Sequence, residues 1–141
     1  MCVDLRASGA SDLIKLLAAE TDVLIENFRP GVMSRLGVGY EELALVNPRL
    51  IVLSISGFGL SGPEALRPAY APVIHAECGL VHRSATRARS SFRDLPISLA
   101  DTNGGLHGLV AVLAAVHIRE RTGIGQHIDI AMFDAMLATD D

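Results

Sequence analysis

The sequence predicts one α/β domain, a parallel sheet with helices on its faces. Three observations lead there. Apolar strand candidates alternate with helical segments in β-α-β-α-β order over residues 2–56. The connections are short, which favours a parallel, right-handed arrangement. The composition is 50% hydrophobic, only 4% aromatic and free of Trp. Its core is therefore built of Val, Ile, Leu and Ala, as in a sheet buried on both faces. A length of 141 residues suits a single domain.

Met1–Leu5 is the first strand candidate. Ser8–Ser11 reads as a turn, with Ser11 or Asp12 capping a helix whose apolar spacing is Leu13, Leu16 and Leu17. Val23–Asn27 is an apolar strand that runs into Phe28-Arg29-Pro30-Gly31. A short helical turn is expected over Val32–Leu36 and a helix over Tyr40–Val46, stopped by Asn47-Pro48. Leu50–Ser56 is the clearest strand, being rich in β-branched residues. Gly57–Pro72 carries many breakers and reads as a long loop. A helix is expected over Val73–Val81, then an exposed polar loop over Arg83–Arg93 with four arginines. A long helix from about Gly104 to Arg121 follows, closed by Gly123. Its apolar stretch, Gly105–Ile118, is too short to span a bilayer and reads as a buried helix. Gln126–Ile130 alternates as a strand, and Met132–Ala138 starts another helix.

The formal charge of −4 gives no basic balance that would point to nucleic acid or an anionic membrane. Cys2 and Cys78 are isolated, and the five histidines show no H-E-x-x-H spacing, so no metal site is expected. Free thiols fit a reducing cytoplasm, the expected location. His107 and His117 are expected to be packed on the apolar helix.

Three stretches carry possible chemistry. Gly57-Phe58-Gly59-Leu60-Ser61-Gly62 matches the dinucleotide fingerprint G-x-G-x-x-G and follows a strand. The helix that must receive the pyrophosphate is replaced by Pro63, Glu64 and Pro68, so a flexible glycine loop is the better reading. Its glycines still let backbone approach a ligand closely. Asn27-Phe28-Arg29-Pro30-Gly31 lies at the carboxyl end of a parallel strand, where ligands of open α/β sheets collect. The same residues also make an ordinary strand-to-helix turn. Asp101, followed by Gly104-Gly105, stands where an apolar approach meets the long helix. It is either a helix cap or a reactive carboxylate held near the positive end of the helix dipole.

The runs Asp22–Met33, Arg35-Leu36-Gly37, Asn47–Ile51, Ser54–Gly59, Arg119–His127 and Asp129–Ala135, together with Asp101, resemble the family III CoA-transferases (the CaiB/BaiF family). The resemblance covers nearly the whole chain in the right order. It implies an incomplete Rossmann-like large domain over residues 1–141, without the smaller second domain, and an interlocked homodimer in the full-length enzyme. The chain is thus expected to be a fragment. The resemblance also implies transfer of coenzyme A from an acyl-CoA donor to a carboxylic acid, with coenzyme A as substrate and no permanently bound cofactor. Asp101 stands at the position of the family's nucleophile. Asn27, Phe28 and Arg35 match its CoA-contacting positions, and Tyr70 an active-site aromatic position. Gly57 and Gly59 are expected to line the substrate pocket, and the N–H groups of Gly104-Gly105 to help hold an oxyanion. The family's α-methylacyl-CoA racemases place a proton-carrying His where Tyr70 stands, followed by an Asp where Ala71 stands, so the transferase reading is preferred. A degenerate CoA-binding or dimerisation module is the alternative from outside enzymology.

Overall fold

Three short runs dominated by aliphatic residues form the sheet, β1 (Val23–Glu26), β2 (Ile51–Ser56) and β3 (His127–Ala131). The order is β1-β2-β3 and both pairings are parallel. Val23 lies opposite Ile51 and Glu26 opposite Ser54, so the two strand candidates nearest in sequence are neighbours as expected. The helices are α1 (Ala10–Ala19), α2 (Val32–Arg35), α3 (Tyr40–Val46), α4 (Ala71–Glu77), α5 (Leu80–Ala88), α6 (Leu99–Thr122) and α7 (Met132–Thr139). This computed structural model describes residues 2–139.

Parallel pairing buries the central strand, and β2 is buried along almost its whole length. Alternate residues of β2 face opposite layers. Leu50 and Val52 pack with Ala18 of α1, Leu43 of α3 and Val38. Ile51 and Leu53 pack with Ala115 of α6 and Ile128 of β3. A third cluster joins Ala71 and Ile74 of α4, Ala100 of α6, and Met132 and Met136 of α7.

Several expectations need correction. Met1 lies outside the described residues, and Cys2–Leu5 form no strand. Asp4 instead closes a turn: its carbonyl accepts from Ala7 N–H at 3.0 Å, and its carboxylate from Arg6 N–H at 3.0 Å. Such local bonds compete with a strand ladder. Neither Ser11 nor Asp12 caps α1. The helix starts after Gly9 at φ 80°, and the Ser11 hydroxyl donates across to Gly37 O at 3.4 Å. The inner face of α1 is Ala10, Ile14 and Ala18, while Leu16 and Leu17 are exposed. The expected Val73–Val81 helix is two helices, α4 and α5, split at Gly79 with φ 80°. Much of the expected Arg83–Arg93 loop is α5, whose buried side is little more than Ala85. So narrow an apolar stripe reads as a loop in sequence.

The long helix differs most. It begins five residues earlier than expected, at Leu99 rather than Gly104. By length and composition it could cross a membrane, yet it packs along the sheet. The side it presses inward is small: Gly104, Gly108 and Ala115. A Cβ on Gly108 would sit 2.9 Å from Leu53 Cδ2, closer than packed carbon atoms allow. Leu106, Leu109, Val110 and Leu113 face outward and are more than half exposed, and His107 and His117 are exposed with them. The helix is therefore not a buried one.

Arg119 anchors the far end of α6. It is 6% exposed. Its Nη1 donates to Asp22 O at 3.1 Å and Arg49 O at 3.3 Å, and its Nη2 pairs with Asp22 Oδ1 at 3.0 Å. The guanidinium fork thus ties the helix to the segments entering β1 and β2. Arg119→Ala removes both backbone hydrogen bonds and the Asp22 ion pair, leaving Arg49 O without this donor while Asp22 O keeps Ile51 N–H, and should cost about 1–3 kcal/mol in urea unfolding. Arg119→Lys should lose less, because one ammonium can still reach one carbonyl.

Candidate active site

The carboxyl ends of β1 and β2 open into a cavity of about 260 Å³. Asn27 and Phe28 reach it from the end of β1, Gly57 from the end of β2, Tyr70 from the residue before α4, and Asp101 from the first turn of α6. Five of the seven site residues read from the sequence thus share one cavity. Arg35 and Gly59 do not line it. Arg35 sits at the end of α2, and Gly59 packs beside Asp129 and Ala131.

The wall also includes Arg29, Ser56, Arg67 and Met132. Of these, only Arg29 lies in a stretch that the sequence marks for possible ligand contact, Asn27–Gly31. Arg67 lies 5.2 Å above the Phe58 ring and is paired with Glu64 at 3.4 Å and with Glu77. Its charge is therefore largely answered by Glu64 of the loop and Glu77 of α4. Arg29 is exposed and forms no ion pair among the described residues. The Ser56 hydroxyl is buried without a hydrogen-bond partner among the described residues. No group of three or more His, Cys, Asp or Glu side chains in the described residues could hold a metal.

Asp101 is the third residue of α6, not its cap. Ser98 occupies the cap position, with no side-chain cap bond. The Asp101 carboxylate is exposed, and no hydrogen bond or ion pair holds it among the described residues. Near the positive end of the helix, an anion there is favoured. Gly104 and Gly105 lie within α6, so their N–H groups serve the helix ladder and are not free to hold an oxyanion.

The loop from Gly57 to Tyr70 is drawn tightly over the end of β2. A Cβ on Gly57 would meet Ala69 Cβ at 2.4 Å, so only glycine permits this approach. Phe133 N–H donates to Gly57 O at 3.0 Å, and Leu60 N–H to Asp129 Oδ2 at 2.9 Å. The glycine triplet is followed by turns and opens no helix before Ala71, so the helix N-terminus that a pyrophosphate site requires is missing.

A family model for CoA-transferase family III matches residues 1–140. The chain belongs to that family. It is 44% identical over 136 residues to the acetyl-CoA:oxalate CoA-transferase of Acetobacter aceti, covering 96% of this chain and 35% of that one. It is 37% identical over 139 residues to the beta subunit of the succinyl-CoA–L-malate CoA-transferase of Chloroflexus aurantiacus, covering 99% and 34%. A crystal structure of a CaiB/BaiF family protein from Brucella suis superposes with a TM-score of 0.86 at 37% identity, over 96% of this chain and 36% of that one. The chain spans about a third of the length of the curated relatives it matches.

In this family III chain one pair beside the cavity escaped sequence reading. His75 is fully buried, and its Nδ1 lies 2.8 Å from Asp94 Oδ1. Its Nε2 accepts the Ala100 N–H at 3.1 Å. The hydrogen bond from His75, aided by Leu95 N–H, holds the Asp94 carboxyl below its ordinary range. A folded-state value below the unfolded one stabilises the fold above about pH 4, and that gain is lost as pH falls through the folded value. Carboxyl ¹³C titration of Asp94 should give a midpoint below about 4, and His75→Leu should move it upward.

Gly57→Ala should force Ala69 and Tyr70 off the end of β2, at about 1–3 kcal/mol for an overpacked contact. Tyr40 and Tyr70 are the only tyrosines and there is no Trp. In a Tyr40→Phe background, tyrosine fluorescence should therefore report the displacement of Tyr70 directly.

Proposed function

We propose that this chain carries the nucleophile and part of the coenzyme A site of an enzyme that moves CoA from an acyl-CoA to a carboxylic acid. The observation that carries the reading is the Asp101 carboxylate, unpartnered among the described residues, in a cavity shared with Asn27, Phe28 and Tyr70. That cavity lies at the carboxyl ends of parallel strands, in a chain of CoA-transferase family III. The relatives named for oxalate and malate support a short carboxylic acid as acceptor.

Asp101 attacks the thioester carbonyl of the donor, forming an acyl–aspartyl anhydride and releasing CoA thiolate. The thiolate attacks the aspartyl carbonyl, which expels the donor acid and leaves an Asp101–CoA thioester. The acceptor carboxylate attacks that thioester and again releases CoA thiolate. The thiolate then takes the acceptor acyl group and restores the Asp101 carboxylate. A carboxylate is a weak nucleophile, so positioning and exclusion of water carry much of the rate. Phe28 supplies an aromatic face for a planar group, and Arg29 a cation for phosphate or carboxylate. Arg35, outside the cavity at the end of α2, is assigned to the same ligand by the family pattern alone. The full-length enzyme is proposed to work as an interlocked homodimer in the cytoplasm.

A racemase reading is less well supported. Tyr70 stands where that chemistry needs a proton-carrying His. The nearby His75 is buried, has both ring nitrogens engaged and does not line the cavity.

The test uses the intact natural polypeptide that carries residues 1–141, with acetyl-CoA or succinyl-CoA as donor and oxalate or L-malate as acceptor. Hydroxylamine or borohydride trapping followed by peptide mass mapping should mark the peptide that contains Asp101. Asp101→Asn should lower CoA transfer by at least about a thousandfold, since the attacking oxygen is gone, while CoA binding by calorimetry stays within about threefold. Substantial turnover in the Asn variant would reject the nucleophile role. Turnover lost together with CoA binding would reject the division of labour argued above.

A further inference from the structure

We propose that His75 is a positioning residue. It caps the first turn of α6 from a neighbouring helix and so sets the direction of the Asp101 carboxylate. The proposal rests on the reading of Asp101 as nucleophile.

The first N–H groups of a helix have no partner within it. At α6 the usual remedy is missing, because Ser98 makes no side-chain cap bond. Ala100 is fully buried, so water cannot replace that bond. His75 Nε2 meets the Ala100 N–H at 3.1 Å. A backbone N–H only donates, so Nε2 must carry the lone pair and the ring proton must sit on Nδ1. Nδ1 lies 2.8 Å from Asp94 Oδ1, an acceptor that suits this tautomer. The chain Asp94–His75–Ala100 N–H is thus internally consistent, and each partner specifies the next.

Asp101 is the next residue along the backbone. Its carboxylate has no side-chain partner among the described residues to orient it, so its direction follows from the backbone of the first turn. That turn is held on one side by Ala100, packed among Ala71, Ile74, Met132 and Met136. On the other side it is held by His75. The helix that carries His75 also begins directly after Tyr70. α4 therefore bears on two residues that line the cavity, Tyr70 and Asp101.

A merely structural histidine and a positioning one differ in what their loss changes. The experiment compares His75→Gln, whose amide oxygen can still accept from Ala100, with His75→Leu, which has no acceptor. Both are made in the intact natural polypeptide that carries residues 1–141. Hydrogen exchange should show the Ala100 amide protected in the wild type and in Gln, and exposed in Leu. In Leu, kcat should fall by about tenfold to a hundredfold, the range expected for a misplaced group. KM for acyl-CoA should stay within about threefold, and Gln should recover most of kcat. If His75→Leu prevents folding, Asp94→Ala carries the test. It removes the Nδ1 partner that anchors the ring, so the imidazole ¹⁵N shifts should move from their wild-type positions and kcat should fall at unchanged KM.

Trapping of CoA on Asp101 with kcat of His75→Leu within twofold of wild type overturns the positioning role alone. So does an Asp94→Ala variant with unaltered ¹⁵N shifts and kcat. If the wild type never traps CoA on Asp101, the nucleophile reading fails and the positioning role falls with it, even where the Ala100 amide stays protected.

Discussion

The close approach of α6 to the sheet is the constraint on which the remaining structure depends. Gly104 and Gly108 let the inner face come close: a Cβ would lie 3.2 Å from Met132 Cγ at Gly104 and 2.9 Å from Leu53 Cδ2 at Gly108, so either would have to displace a packed side chain. The helix therefore lies directly on β2 and β3, and it carries Asp101 near its first turn at one end of the sheet and Arg119 near its last turn at the other. Arg119 fixes the lower end by binding the backbone that enters β1 and β2. With one end pinned and the middle allowing no slack, the first turn has one place to be, over the carboxyl end of β2. The same constraint sends the large aliphatic side chains outward. Leu106, Leu109, Val110 and Leu113 are exposed because the glycines, not the leucines, make the contact.

The cavity is a consequence of parallel topology. β1 and β2 point the same way, so Asn27 and Gly57 emerge at the same edge although they are far apart in sequence. The segment after β2 then folds back across that edge. Gly57 permits the contact with Ala69, and Asp129 of β3 holds Leu60 N–H. Tyr70 is delivered to the cavity mouth as α4 begins. Electrostatics follow the same economy of elements. The charge of Arg67 is answered by Glu64 and Glu77, whereas Arg29 and Asp101 bring opposite charges to the wall without ion-pair partners among the described residues. A wall that holds one available cation and one available carboxylate suits a ligand that is anionic at one end and reactive at the other.

The strands were legible because their signal is local. Val23–Glu26 and Ile51–Ser56 are runs of β-branched and aliphatic residues between breakers, and neighbours in sequence became neighbours in the sheet. The helices were legible where an apolar run meets a breaker, as in α3, which ends at Asn47-Pro48. Reading failed where tertiary contacts reassigned a side chain. Ser11 reaches to Gly37 instead of capping its own helix. Asp4 closes a turn instead of extending a strand. α5 is helical although its polar, arginine-rich sequence reads as a loop, because a single buried alanine and the contact of Leu80 with the α4–α6–α7 cluster suffice to seat it.

The sequence alone determined the parallel α/β class, the place of the strands, the motifs of the family and five residues that meet in one cavity. These rest on local propensity and on residue identity, both of which are present in the linear chain. Only the tertiary structure decided which face of α6 turns inward. A helical pattern marks leucines and glycines as lying on different sides but does not say which side finds room. Only the tertiary structure excluded Asp101 as the cap and brought His75 to Ala100 N–H across 25 residues. That bond depends on the angle at which α4 crosses the start of α6. The angle is set by Ala71, Ile74, Ala100, Met132 and Met136 packing together, a contact that exists only once the chain has folded.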